Sequence, residues 1–359
     1  MRWRPAIAAL LLVALFVMPG GAAASPSEHV RIAVMGLFHS SQFAVEVSPA
    51  SPILVDSGQR QFVAGVDARQ SVAIIRSGRK IIVRSGGSEI VGENITFSAR
   101  QGGECDFVLA VPGKLHRRYR GKLIVTVGNQ ELLTVVEMEL ETAVASVVAA
   151  ESPGDAPLEA MKAQAVVSRS YLVSGGRHHP YADFCDTTHC QFLREPPPAG
   201  SRAAVATRAT NGQVLTWQGK PFAAMYSASC GGHTHSLAQV GASAVDYPYF
   251  PVECPYCQRS PEHWSSRVSK SDAAALVSDR EQERIKAVRK LGWMAIPSST
   301  FTKTDAPGAV TLDGVGHGHG IGLCQLGASG MAQHGKDFRA ILSHYFPNTT
   351  LGYISSALL

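Results

Sequence analysis

The chain has 359 residues, 45% of them hydrophobic, and carries 33 Lys and Arg against 28 Asp and Glu. That length allows one large domain or two ordinary ones. A formal charge of +5, spread without a basic cluster, offers no footing for nucleic-acid binding.

Residues 1–24 start with Arg2 and Arg4, run apolar from Ala6 to Met18, and end in Ala22-Ala23-Ala24. This is the pattern of a secretory signal peptide cut after Ala24, its apolar run too short for a comfortable membrane span. Losing Arg2 and Arg4 would take the charge from +5 to about +3. No later stretch is long and apolar enough to cross a bilayer, so the mature chain is expected to be soluble, secreted or periplasmic. Seven cysteines in an exported chain permit three disulfides and one spare thiol, unless a metal claims some of them.

From His29 to about Glu141 short apolar runs (VRIAVMGL, FAVEV, QFVAGV, SVAIIR, KIIVRS, LIVTVG) alternate with Gly, Ser and Asp turns. They predict a β-rich module that supports the rest. LLTVVEMELETAVASVVAAESP (132–153) then reads as a strand followed by a helix ending at Glu151. The apolar run Val147-Val148-Ala149-Ala150 ahead of Glu151 can shield it from water, and Ser152-Pro153-Gly154 ends the element. A partly desolvated carboxyl has a raised pKa and can donate a proton near neutrality. An acidic residue at a helix end is also an ordinary thing.

Leu158 to Val173 predicts a helix, with Pro157 in its first turn and Asp155 or Ala156 as cap. Leu158, Met161, Ala165 and Leu172 can line one face, leaving Lys162 and Arg169 for others. Glu159 would only favour the helix N-terminus. Behind this helix, Cys185-Asp-Thr-Thr-His189-Cys190 follows His178 and His179. Two thiolates and two imidazoles would fill a tetrahedral structural zinc site, with His179 as fourth ligand. A Cys185–Cys190 disulfide is the alternative; the ligand types favour metal.

After a Pro-rich loop, SRAAVATRATN predicts a short helix. VLTWQGKPFAAMYSAS predicts a hairpin with Gln218-Gly219-Lys220 as its loop. Cys254-Pro-Tyr-Cys257 could be a redox pair, half a metal site or a structural bridge. Redox chemistry is the weakest of these without a thioredoxin-like setting. Cys230 and Cys324 lie beside Gly-rich turns and could meet each other or this pair. SKSDAAALVSDREQERIKAVRKL reads as a peripheral helix. The Gly316-to-Gly322 stretch sets His317 and His319 among alternating glycines, either to present imidazoles or to make a tight turn. Two helices follow it.

Four ordered stretches, VVAAESPGDAPLEAMKAQAVVSRSYL, ADFCDTTHCQ, YSASCGGHT and GHGHGIGLCQLGASGMAQHGKDFRAILSHYFPNT, resemble the SpoIID/LytB sporulation and amidase-enhancer family. The resemblance covers residues from about 133 to 353. Together with the residue patterns above, it gives an expected α+β protein: a signal peptide (1–24), a β-rich N-terminal module (25–131) and a mixed SpoIID/LytB-like domain (132–359). It further implies binding to peptidoglycan glycan strands. Activity would be that of a lytic transglycosylase, with Glu151 as the general acid, or else non-enzymatic enhancement of a cell-wall amidase. The family's usual Glu-Met-Pro is Glu151-Ser152-Pro153 here, which keeps the carboxylate. Some relatives bind zinc through Cys and His in the region matching 179–190, so Cys185, His189 and Cys190 are the residues that carry over best, with His179 expected as the fourth ligand. Lys162, Arg169, Tyr226, Ser227, Ser229, His317, His319 and Gln325 are the residues expected to line the substrate groove. A metal-dependent hydrolase built on His317 and His319 is a third reading.

Overall fold

The computed structural model describes residues 29–354 apart from 67, 102, 175, 177, 241–246, 279–286, 288, 289, 293 and 299. The expected signal peptide lies outside the described residues, as does part of the peripheral helix. The chain is strand-rich, and its organising feature is a twelve-stranded, barrel-like sheet.

The strands are β1 (His29–Val34), β2 (Gln42–Val47), β3 (Ile53–Asp56), β4 (Gln61–Ala64), β5 (Gln70–Ser77) and β6 (Lys80–Ser85). They continue as β7 (Ser88–Gly92), β8 (Asn94–Ala99), β9 (Cys105–Val111), β10 (Leu115–Val127), β11 (Leu132–Glu139) and β12 (Phe184–Cys185). Burial alternates along them, most cleanly in β9, as one-sided packing demands. Val45, Val55, Val72, Ile95, Phe97, Leu109 and Leu123 are wholly enclosed.

β10 serves two neighbourhoods. Leu115–Gly121 pairs with β9, whereas Lys122–Val127 pairs with β11 on one side and, from Leu123, with β8 on the other. Gly121 sits at the changeover with φ +146, where a Cβ would lie 2.5 Å from Glu137 O. Only glycine fits that bend. β11 lies between β10 and β1, so the expected boundary at residue 131/132 falls inside this sheet.

Helix α1 (Leu140–Glu151) leaves β11 directly, and α2 (Leu158–Ser174) follows it. Pro157 lies just before α2 rather than in it, its carbonyl accepting from Met161 N–H. The face of α2 bearing Met161, Ala165 and Leu172 joins the barrel core. Its other face, through Ala163, Val166 and Val167, enters a second core. Helices α3 (Arg202–Ala209), α4 (Pro255–Arg259), α5 (Lys270–Leu276), α6 (Gln325–Gln333) and α7 (Phe338–Tyr345) follow later in the chain.

The expected hairpin is shorter than its sequence pattern. β13 (Gln213–Trp217) turns through Gln218 and Gly219, both at positive φ, into β14 (Lys220–Pro221). Tyr226 and Ser227 leave that hairpin as β15, because the apolar run is recruited to the second core. β16 (His263–Val268), β17 (Phe301–Ala306) and β18 (Ala309–Val315) form a small peripheral sheet. β19 (Leu323–Cys324) pairs parallel with β15, and β20 (Thr350–Tyr353) pairs with β13.

Candidate active site and metal centre

Glu151 ends α1, and the loop after Cys190, strand β15 and the start of α6 converge on it. Tyr226 OH and Phe192 N–H each donate to Glu151 Oε1 at 3.0 Å. Among the described residues Oε2 takes no such donor. Burial raises the carboxyl pKa above its ordinary value, and the two donors only partly offset this. The C-terminal end of a helix also disfavours negative charge, and no basic residue occupies the last turn of α1. Burial, then the nearby carboxylate, pushes the Tyr226 phenol well up, so it stays a neutral donor.

This carboxyl opens into a cleft of about 510 Å³, lined also by Tyr226, Ser227, His317, His319 and Gln325. Gln325 Nε2 donates to Glu151 O and to Gln164 Oε1, both at 3.2 Å, tying α6 to the end of α1 and to α2. His319 is pushed down to about 4 by burial and is a neutral imidazole; its Nδ1 accepts from Ile321 N–H at 3.0 Å. His317 Nδ1 lies 3.0 Å from Glu262 Oε2 at the exposed rim. The glycines around them have φ of +81, +91, +71 and +71 at 316, 318, 320 and 322. A Cβ on Gly316 would lie 2.6 Å from Ser229 O. The loop is therefore a tight turn that also presents both imidazoles.

Three expected groove residues lie elsewhere. Arg169 is fully buried, its guanidinium clamped by Glu141 through two contacts of 2.7 Å, so it cannot reach a sugar. Lys162 Nζ is held 2.6 Å from Glu159 Oε1 and near the Phe338 ring, away from the cleft. Ser229 is 2% exposed, its hydroxyl 3.7 Å from Cys257 Sγ. Among the described residues, those lining the cleft thus include no Lys or Arg.

Beside Glu151 the donor atoms of His179, Cys185, His189 and Cys190 all lie within 4.8 Å of one another. Cys185 Sγ is 3.4 Å from Cys190 Sγ, and Cys190 Sγ is 3.6 Å from both His179 Nε2 and His189 Nδ1. A tetrahedral zinc ion with bonds of about 2.0–2.3 Å sets its ligands about 3.3–3.8 Å apart. The donor set fits such an ion. Hydrogen bonding between the two thiols draws Cys185 down and pushes Cys190 up.

The barrel carries this cluster. Cys185 belongs to β12, paired parallel with Ala33 of β1. Asp186 beside it is buried against Arg117 and Tyr119, and burial raises its carboxyl to about 6. Phe192 comes two residues after Cys190, so the cluster also fixes the N–H that reaches Glu151. Sequence reasoning missed Phe192, whose contribution is a backbone group. It also missed Tyr171, which lines the cleft, and Gln164. A buried polar side chain on an otherwise apolar helix face was the available signal for Gln164.

The profile of the SpoIID family, Stage II sporulation protein, matches residues 128–217. An uncharacterised protein of Brachyspira hyodysenteriae is 30% identical over 264 residues, covering 64% of this chain and 70% of the relative. Stage II sporulation protein D of Bacillus amyloliquefaciens is 26% identical over 270 residues, covering 63% and 77%. The amidase enhancer of Bacillus subtilis is 25% identical over 280 residues, covering 56% of this chain but 39% of the relative. The chain belongs to the SpoIID/LytB family.

Proposed function

We propose that this protein is a lytic transglycosylase of peptidoglycan glycan strands, working outside the cytoplasm with Glu151 as acid and then base. The observation that carries the reading is a single carboxyl in the cleft: among the described residues Glu151 is its only acidic lining residue. Its burial favours the protonated form. A hydrolytic glycosidase needs two carboxylates, one to protonate the leaving oxygen and one to attack or to activate water. A lytic transglycosylase needs one.

With Oε1 occupied by Tyr226 and Phe192, Oε2 is the atom that carries the transferable proton. It passes to the glycosidic oxygen between N-acetylmuramic acid and N-acetylglucosamine as the C1–O bond breaks. The carboxylate left behind faces an oxocarbenium-like sugar and takes the proton from that sugar's C6 hydroxyl. O6 closes on C1, giving a 1,6-anhydro ring with no water consumed. Attack within one sugar ring has a high effective molarity. Neutral His319 adds no positive charge against the cation, and Gln325 holds the backbone that bears Glu151.

His179, Cys185, His189 and Cys190 would hold a structural zinc ion, which supplies rigidity to the loop that delivers Phe192 N–H. Four protein ligands leave it no open position. The expected N-terminal module (25–131) is then a barrel completed by β11 and β12 of the second part (132–359). Among the described residues no helix is long and apolar enough to cross a membrane.

The test is digestion of purified glycan strands, with and without stem peptides, read by mass spectrometry. Fragments ending in 1,6-anhydro-N-acetylmuramic acid, absent with Glu151→Gln, are expected. The likeness to an amidase enhancer supports a second reading, recruitment of a wall amidase. Strands that bind the protein yet stay intact would sink the enzyme and leave the recruiter.

A further inference from the structure

We propose that Cys230, Cys254, Cys257 and Cys324 form a second metal centre, a buried mononuclear tetrathiolate zinc site that fastens the floor of the cleft. Their four Sγ atoms all lie within 4.8 Å of one another, with Cys257 and Cys324 at 3.5 Å. Four thiolates around one zinc at about 2.3 Å have S···S edges of about 3.8 Å. A polynuclear iron–sulfur cluster sets metal and sulfide between its thiolates and would hold them farther apart. Two disulfides would divide the set into two bonded pairs. Here each sulfur has three near partners, which is the arrangement of a tetrahedron.

The surroundings match charged sulfurs. Gly327 N–H donates to Cys324 Sγ at 3.4 Å, Tyr345 OH lies 3.4 Å from Cys254 Sγ, and Ser229 Oγ lies 3.7 Å from Cys257 Sγ. Such outer donors offset thiolate charge at metal sites and orient the ligands. The packing leaves no slack: a Cβ on Gly327 would lie 2.5 Å from Cys254 Sγ. Gly231 and Gly232, at φ +72 and +129, turn the chain sharply behind Cys230. Pro255 opens α4 between Cys254 and Cys257. The cysteines are at most 3% exposed, so the site is closed and structural rather than catalytic.

Its location gives it a task. Cys324 immediately precedes Gln325, and Ser227 pairs with Cys324 across β15 and β19. Cys230 lies four residues beyond Tyr226. One ion would therefore tie together the segments bearing both Tyr226 and Gln325, the groups that hold Glu151. It joins Cys230 and Cys324, 94 positions apart in the chain.

The experiment uses the full chain purified without chelator or reductant. Zinc is counted by plasma mass spectrometry and its ligands are read by X-ray absorption, on wild type and on the Cys185→Ser/Cys190→Ser variant. Wild type is expected to hold two zinc ions, averaging three sulfurs and one nitrogen each from the two donor sets. The variant is expected to keep one ion with an all-sulfur shell. After denaturation with chelator, all four cysteines should alkylate without reduction. This last readout and the wild-type shell need no folded variant. A two-sulfur, two-nitrogen shell in wild type overturns the proposal. So does iron in place of zinc, or resistance of these four thiols to alkylation until disulfides are reduced. None of these readouts depends on turnover, so their failure leaves the assignment of Glu151 standing.

Discussion

Two glutamates open and close helix α1, and they live in opposite chemical worlds. Glu141, in the first turn, takes Arg169 Nε and Nη2 at 2.7 Å on its two oxygens and Gly212 N–H at 3.2 Å. Its guanidinium partner also donates to Ala165 O and Gln213 O, so one bidentate pair knits α1, α2 and β13. Glu151, in the last turn, has no cation beside it among the described residues. It has a phenol and a backbone N–H on one oxygen, and burial that favours the proton. The helix dipole supports a charge at Glu141 and opposes one at Glu151. Residue type and helix are the same. Partner and position separate a clamp from an acid.

The sharpest break of this comparison is Glu151→Gln. Removing a general acid should lower glycan turnover about 10³-fold, roughly 4 kcal/mol of barrier. Stability should move the other way. A carboxyl whose folded pKa is raised makes the native state bind the extra proton. Native stability therefore falls as pH climbs from the ordinary carboxylate value through the raised one. Glutamine lacks that fall, so the variant should be the more stable of the two at pH 7 and draw level with wild type at pH 4. Thermal melts at the two pH values read this directly. A variant that melts well below wild type at pH 7 would make Glu151 a second clamp.

Next in size is Glu141→Gln. It strands a guanidinium that is fully buried, and breaking a buried pair from one side costs about 3 kcal/mol or more. Urea unfolding should show that loss, while the folded fraction keeps its turnover per molecule. Unchanged stability would mean that the carbonyls around Arg169 suffice to hold it.

How much of this could be read beforehand follows the range of each interaction. α2, the ligand types around Cys185 and the position of Glu151 at the end of α1 follow from residues within a few turns of chain. Spacing and apolar patterning carry such information, whereas the donors that hold Glu151 come from 41 and 75 positions away. The strands of the barrel were legible as alternation, but their closure was not. β1 meets β11 across about 100 residues, and the bend that redirects β10 is written in the single residue Gly121. Arg169 was misplaced for the same reason. Its partner lies 28 positions earlier, and an arginine on a helix reads as solvent-facing until that partner is seen. Phe192 was invisible because a backbone N–H has no side-chain signature. The four distant cysteines gave their types, whereas their convergence needed the second core.

The smallest effect tests the hydrogen bond that distinguishes Glu151 most finely. Tyr226→Phe keeps the ring and removes only the donor to Oε1. A donor to a carboxylate favours its charged form, so losing it should raise the Glu151 pKa further. The acid must be protonated to start the reaction, and the alkaline limb of kcat/KM should therefore move to higher pH. Plateau turnover should drop about tenfold, the value of one charge-assisted hydrogen bond of about 1.5 kcal/mol, because the same carboxylate must later accept a proton from the C6 hydroxyl. A ring that served packing alone would leave the limb where it is. A limb displaced to lower pH would mean that the phenol holds the proton on Glu151 instead of charge. The glutamate would then be set by burial and its donor in concert, and the contrast with Glu141 would rest on the absent guanidinium alone.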